Sequence, residues 1–344
     1  MFAADTEKCS RLWSALKKGR RIAVLSHTHP DGDAVGCTVA AQSFLRDILG
    51  READVILPDR WGCGMDFLAS EANLLTASDE GAPEIICRAD TILCLDFNTA
   101  SRVASLEGAL RSSDATKILI DHHPGPETGL FDIVFSETAI SSACELLYWI
   151  LLDNENIAGD PGKLPVLCAK ALMTGMTTDT NNFANSIFPS TFRMASGLLE
   201  AGVDRDSILS SLYSSKRESV MRGWHRMLDR HLHITDEGAA YMILTKRTRA
   251  AFDLREGDTD GLVNVPLQIG RVRMSALLTE EDGFFRMSLR SKGEVNVGEL
   301  ARTSFHGGGH DCASGGRILC PEDIPAKKDA GAYFERITAQ FLKK

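Results

Sequence analysis

The chain has 344 residues, 44% of them hydrophobic, which suggests two domains of roughly 150 residues with real cores. Its net charge of −9 and pI near 5.5 argue against a protein that coats duplex nucleic acid by charge, a mode that needs surplus Lys and Arg; phosphate ligands stay open if metal supplies the positive charge. Nine scattered cysteines, odd in number and never in a Cys-x-x-Cys pair, indicate neither a disulfide framework nor a zinc ribbon, and a reducing cytoplasm is the simplest reading.

In chain order, an amphipathic segment is predicted from Cys9 to Lys18, with Leu12, Trp13 and Leu16 on one side. The N-terminus, with Asp5 and Glu7, is expected to carry no export signal. Ile22-Ala-Val-Leu25 is an unbroken apolar run of the kind a strand buried on both faces uses, and it stops at Ser26. Pro30 biases His29 away from the helical region, and Asp31-Gly32 reads as a turn. Val35, Val39, Phe44 and Ile48, with Gly50 beyond them, read as an amphipathic helix opening near Asp33. His27, Asp31 and Asp33 therefore share a strand-to-helix turn, at the carboxyl edge where open α/β sheets bind ligands. Apolar runs at 54–58, 91–96, 117–122 and 131–135, with helical or polar segments between, give the alternation of a doubly wound parallel sheet. Helices are predicted at 143–152 behind Ser141-Ser142, at 163–174 with Pro165 in the first turn, and at 190–201 and 205–213 with Gly202 as a stop. The longest apolar run, Leu146 to Leu152, is too short to span a bilayer, so no membrane role is expected.

From Trp224 the character changes. A helix through Leu232 is followed by strands at 240–244, 271–278 and 284–290, the last two joined by the turn Glu281-Asp-Gly283, then a glycine-rich loop, His306 to His310, and a C-terminal helix. The expected fold is α/β, a doubly wound domain over 1–213 and a smaller α+β domain over 214–344.

Asp and His residues fall at successive strand ends: His27, Asp31 and Asp33; Asp96; Asp121, His122 and His123; and Asp179 in the polar loop 177–182. A lone Asp-Gly-Asp is more often a turn and an isolated His-His a surface accident, but all four signals fall on one predicted edge. Carboxylates packed that closely repel one another unless two divalent cations balance them. Mixed imidazole and carboxylate ligands suit Mn²⁺ better than Mg²⁺ or structural Zn²⁺. Two such metals are a standard device for attack on phosphorus, so phosphoester hydrolysis is the default reaction. In the second domain, three consecutive glycines let a backbone approach a phosphate, His310 follows them, and Arg290 beside Ser291 suits a bidentate grip. Gly308, Gly309, His310, Arg290 and Ser291 thus read as a substrate clamp facing the metals across an interdomain cleft, with Arg102 as a further phosphate contact.

His27-Thr-His-Pro-Asp-Gly-Asp-Ala34, Asp96, Asp121-His-His123 and Thr174-Gly-Met-Thr-Thr-Asp179 resemble, in order, the four motifs of the DHH phosphoesterase superfamily. The second half, with Ser288-Leu-Arg-Ser291 and Gly307-Gly-Gly-His310, resembles its DHHA1 domain, and the pairing looks most like the oligoribonuclease (nanoRNase) and 3′-phosphoadenosine-5′-phosphate phosphatase branch. His306 stands where that family usually has a fourth glycine. The resemblance implies one metal on His27, Asp31 and Asp96 and another on Asp33, Asp96, His122 and Asp179, with Asp96 bridging. It implies that Asp121 orients an imidazole, and that His123, pointing to the other side from His122, contacts a phosphoryl oxygen or protonates the leaving group. Short single-stranded RNA or nucleotides are the implied substrates, duplex DNA is not, and a homodimer is compatible with the reading. Exopolyphosphatase or pyrophosphatase activity, or a catalytically silent nucleotide-binding module, are the alternatives.

Overall fold

The computed structural model describes residues 5–343 apart from 215 and 256. The chain divides into two compact units, 1–215 and 216–344. No helix among the described residues is long and apolar enough to cross a membrane.

The first unit is built on six parallel strands, β1 (Ile22–Leu25), β2 (Ala53–Leu57), β3 (Leu74–Thr76), β4 (Thr91–Leu95), β5 (Thr116–Asp121) and β6 (Ile133–Ser136), in the order β3-β2-β1-β4-β5-β6. The order reverses between β1 and β4, and in open α/β sheets ligands bind outside the carboxyl ends of the strands at such a reversal. α1 (Thr6–Lys18) packs Cys9, Leu12 and Leu16 into the core, and short helices α3 (Asp66–Ala69), α4 (Ala82–Arg88) and α5 (Glu107–Ser112) lie along the crossovers. β3 escapes sequence reading because three residues are too few to establish a period.

α2 (Gly32–Leu49) departs from the amphipathic expectation. Every residue from Gly32 to Leu45 is buried, and only the last turn is solvated. The covering comes from α6 (Ala143–Leu152) and α7 (Val166–Asp179), followed by α8 (Pro189–Glu200) and α9 (Arg205–Tyr213). α2 and α7 touch backbone to backbone: a Cβ on Gly36 would lie 2.7 Å from the Ala171 carbonyl, and one on Gly175 would lie 2.3 Å from Cys144 Sγ and 2.7 Å from Asp33 Oδ1. α7 also begins after Pro165 and runs five residues further than predicted, so Asp179 is the last residue of a helix and not part of a polar loop. Packing against α2 outweighs the indifferent helix propensity of its Thr and Gly residues.

The second unit carries a mixed sheet ordered β11-β12-β10-β9-β8-β7, from β7 (Leu232–Ile234), β8 (Ala239–Leu244), β9 (Met274–Glu280), β10 (Phe284–Ser291), β11 (Gly308–Gly309) and β12 (Ala313–Leu319). Only β8 and β9 pair in parallel. β10 alternates burial residue by residue, with Phe285, Met287 and Leu289 inward against α12 (Val297–Ser304) and α13 (Ala330–Leu342). α10 (Glu218–Arg230) ends two residues before Leu232, which is in strand rather than helix, and α11 (Lys246–Ala251) follows β8. Within the stretch read as a glycine-rich loop, Gly308 and Gly309 form β11, which pairs antiparallel with β12 across a tight turn in which His310 N–H donates to the Ala313 carbonyl (2.8 Å).

Candidate metal centre

The ends of β1, β4 and β5 are in register, so the residues that follow them emerge side by side. Ser26 Oγ donates to the Leu95 carbonyl (2.8 Å) and Asp96 N–H to the Ile120 carbonyl (3.1 Å), carrying the pairing one step past the strands. The chain then bends sharply: Asp96 has φ 62° and His29 φ 53°, left-handed values uncommon for residues with a Cβ. Asp31 caps α2, its Oδ1 accepting from Asp33 N–H (3.0 Å) and Ala34 N–H (3.1 Å).

Asp96 is the hub. It is 2% exposed; its Oδ2 lies 3.3 Å from His27 Nε2, and its Oδ1 lies 3.4 Å from His122 Nε2 and 3.7 Å from His123 Nδ1. His27 Nε2 is 3.9 Å from Asp31 Oδ1, while His122 Nε2 is 3.9 Å from Asp33 Oδ2 and 3.4 Å from Asp179 Oδ2. Ligand atoms therefore gather within metal-binding reach in two sets that meet at Asp96: His27, Asp31 and Asp96 on one side, and Asp33, His122 and Asp179 on the other. His27 Nδ1 faces the Thr28 carbonyl at 2.8 Å, which directs Nε2 to the carboxylates.

Charge crowding shifts the protonation of these groups. Burial, with the Asp96 carboxylate behind it, pushes Asp33 up to about 7. Burial likewise raises Asp179 well above the usual carboxylate range, against the pull of His122. Burial opposes charge on His122, but Asp179, Asp96 and Asp33 together hold it up at about 10. Asp96 sits well below its ordinary value in spite of burial, because the imidazoles of His122 and His27 stand beside it. Whether divalent metal fits can be judged at Asp96 Oδ1, a buried oxygen with no hydrogen-bond partner among the described residues. A bare buried carboxylate oxygen between imidazoles is what a shared cation would satisfy, and the donors are the oxygen and imidazole types divalent metals take.

His123 does not point to the other side. Its ring meets that of His122 edge to face at 4.8 Å, and both face the carboxylates. The imidazole that Asp121 orients is that of His123: Asp121 Oδ1 lies 2.8 Å from His123 Nδ1, and its Oδ2 accepts from His123 N–H at 3.1 Å.

Three supports were not read from the sequence. Asp59, just past β2, accepts from His29 N–H (2.8 Å) and from Thr28 Oγ1, tying down the His27 loop. The first N–H groups of α6 donate to Asp33, Ala143 N to Oδ2 at 2.6 Å and Cys144 N to Oδ1 at 3.0 Å, so one helix N-terminus holds a carboxylate of another. Glu145, fully buried, accepts from Ser141 N–H (3.1 Å), Ser141 Oγ and Thr191 Oγ1 (2.8 Å), locking that N-terminus to α8. Asp59 stands at a strand end on the same edge, which was the available signal; the α6 contact has none, since it joins residues 110 apart.

Arg102 offers its carbonyl to Thr28 N–H (2.8 Å), and its charge opposes protonation of His27, so the guanidinium lies within electrostatic reach of the centre. In the second unit, Arg290 is half-buried with Nη1 donating to the Leu289 carbonyl (2.9 Å). The Ser291 hydroxyl is buried and donates to the Val295 carbonyl (2.6 Å), which holds the 292–296 turn. Gly308 and Gly309 pair with Gly315 and Ser314, and a Cβ on neighbouring Gly307 would fall 2.0 Å from the Gly315 carbonyl, so these glycines serve close strand approach. His310 closes their turn, and His306, at φ 48°, faces Asp323 with Nε2 3.1 Å from the carboxylate.

The family model for the DHH family, N-terminal domain, matches residues 21–176, and the DHHA1 domain model matches 239–330. A crystal structure of an exopolyphosphatase-related protein from Bacteroides fragilis superposes with a TM-score of 0.89 at 30% identity, covering 100% of both chains. The chain belongs to the DHH family. It is, with that family, a hydrolase acting on phosphoester bonds. Among relatives of this DHH protein, the bifunctional oligoribonuclease and PAP phosphatase NrnA of Bacillus subtilis is 27% identical over 85% of this chain and 87% of its own. The probable bifunctional oligoribonuclease and PAP phosphatase NrnA of Streptococcus mutans is 28% identical over 86% and 88%.

Proposed function

We propose that this DHH protein is a dimetal-dependent phosphoesterase that hydrolyses short oligoribonucleotides to mononucleotides and removes the 3′-phosphate of 3′-phosphoadenosine-5′-phosphate. The observation that carries the reading is the buried, unpartnered oxygen of Asp96 between two imidazole–carboxylate sets. The activities named for the B. subtilis and S. mutans relatives support the substrate class. His27, Asp31 and Asp96 would hold one metal, and Asp33, Asp96, His122 and Asp179 the other, with Mn²⁺ suited to the mixed donor set. Bound metals supply positive charge against the phosphoryl oxygens and lower the pKa of an attacking water.

The chain's own residues do the rest. His123, held by Asp121, presents a ring to the same cluster and is the group to donate a hydrogen bond or proton to a phosphoryl or leaving oxygen. The Arg102 charge favours anionic substrate near His27. Arg290 contributes a grip on a terminal phosphate. Free thiols throughout the described cysteines suit a cytoplasmic enzyme.

A second reading, polyphosphate hydrolysis, is favoured by the name of the B. fragilis structure. One panel decides: a labelled diadenosine dinucleotide, 3′-phosphoadenosine-5′-phosphate and polyphosphate, each with Mn²⁺. Turnover of the first two is expected; turnover of polyphosphate alone would replace the proposal.

A further inference from the structure

The segment directly after Asp179 carries an arrangement that the metal centre does not use. Asn181, Asn182 and Phe183 are successively left-handed, at φ 46°, 58° and 66°, and Ser186 follows at 50°. A run of non-glycine residues in that region persists only where surrounding contacts dictate it. Here they do: Asn181 N–H donates to the Thr178 carbonyl (3.0 Å), Asn182 N–H to the Thr177 carbonyl (2.8 Å) and Phe183 N–H to Thr180 Oγ1 (3.0 Å), hooking the segment onto the end of α7.

The bent chain delivers an aromatic ring. Phe183 stacks on Phe192 of α8 with centroids 5.5 Å apart and planes 8° from parallel. The Arg205 guanidinium lies 5.5 Å from the Phe183 centroid, and its Nη2 donates to Asn182 Oδ1. Phe192 is 54% exposed, an unusual state for a phenylalanine already aligned in a stack. Four residues of chain separate Phe183 from Asp179, a reach of at most about 14 Å.

We propose that Phe183 and Phe192, with Arg205, form a stacking platform for one nucleobase of the substrate whose phosphodiester lies at the Asp96 centre. The inference rests on the oligonucleotide reading above and assigns that substrate a base subsite within the first unit. An aromatic face takes any base, because every base has a π-face, and a guanidinium beside it adds attraction to the nearby phosphate. A polyphosphate chain has nothing to stack there, so the platform belongs to a nucleotide enzyme.

The test compares the 5′-phosphorylated diadenosine RNA dinucleotide with two analogues, each lacking one base. Phe192→Ala should raise KM for the intact dinucleotide about tenfold or more, the scale of removing a base-stacking aromatic. The penalty should vanish for the analogue that lacks the stacked base and persist for the other, and Phe192→Trp should restore the wild-type KM. Leu199→Ala, an exposed apolar control further along α8, should behave as wild type. An equal loss on all three substrates, or none, overturns the proposal. So does a change in sedimentation with unaltered kinetics, which would make the patch a contact between copies. Binding of a 2-aminopurine dinucleotide without turnover separates the two readings. Fluorescence quenching that Phe192→Ala abolishes supports the platform even if hydrolysis fails, and its absence in wild type refutes the platform even if hydrolysis succeeds.

Discussion

A carboxylate inside an apolar edge must find compensation, and Asp96 has His27 beside one oxygen and, on the other, His122 and His123 nearby but no hydrogen bond. Its neighbours carry protons in consequence. With Asp33 at about 7, His122 at about 10 and Asp179 raised, the metal-free protein holds more than one proton at these ligands at pH 7. Metals take carboxylate and neutral imidazole, so loading expels those protons. Apparent affinity for Mn²⁺ should therefore climb as pH rises from about 7 toward about 10. Calorimetric titrations at pH 7 in Tris and in phosphate should differ in enthalpy by more than one proton's worth of buffer ionisation; identical enthalpies would contradict the site. Asp121 offers a second test. Asp121→Asn keeps the shape but weakens the hold on His123, and should cost about 10–100-fold in kcat, the scale for a residue that orients a site group, with both metals still bound by elemental analysis.

Among elements, the α2–α7 contact decides how closely Asp33 and Asp179 can approach the same imidazole. Gly175→Ala would drive a Cβ into Cys144 and Asp33, and should cost about 1–3 kcal/mol in urea unfolding together with weaker metal binding. If Gly175→Ala unfolds like wild type and loads metal normally, the contact is looser than described. This level is also where reading a sequence succeeds and fails. The Asp and His residues were legible because a polar residue closing an apolar run marks a strand end, and the strand order of an α/β sheet puts such ends on one edge. The direction of His123 was not, because the alternation of faces ceases once the chain leaves β5 at Asp121. The bond from Ser291 to Val295 was not legible either, because nothing in a sequence distinguishes a hydroxyl facing solvent from one donating within its own turn. Glycines at 307–309 carry the same letters whether they admit a phosphate or a neighbouring strand.

For the molecule as a whole, a surface with net charge −9 repels long polyanions, so a site that accepts phosphodiesters should favour those bringing few extra charges. Two- to five-nucleotide RNA should be hydrolysed roughly tenfold or more faster than a 24-mer at equal ends with Mn²⁺, about 1.4 kcal/mol of preference. Equal rates would point to a long-strand exonuclease. Arg290→Ala should raise KM for the dinucleotide while leaving metal content unchanged, since a grip made in ground and transition states alike shows mainly in KM.

The centre draws on β1, α2, β4, β5 and α7, from His27 to Asp179: the set His27, Asp31 and Asp96 is present once β4 is made, but the set Asp33, His122 and Asp179 closes only with α7. A nascent chain leaving the ribosome therefore has no catalytic centre until α7 has emerged and docked against α2, whatever the metal concentration around it. Fragments released by a premature stop before Asp179 would lack the second set, and a cell that makes this hydrolase is spared phosphoester cleavage by its unfinished copies.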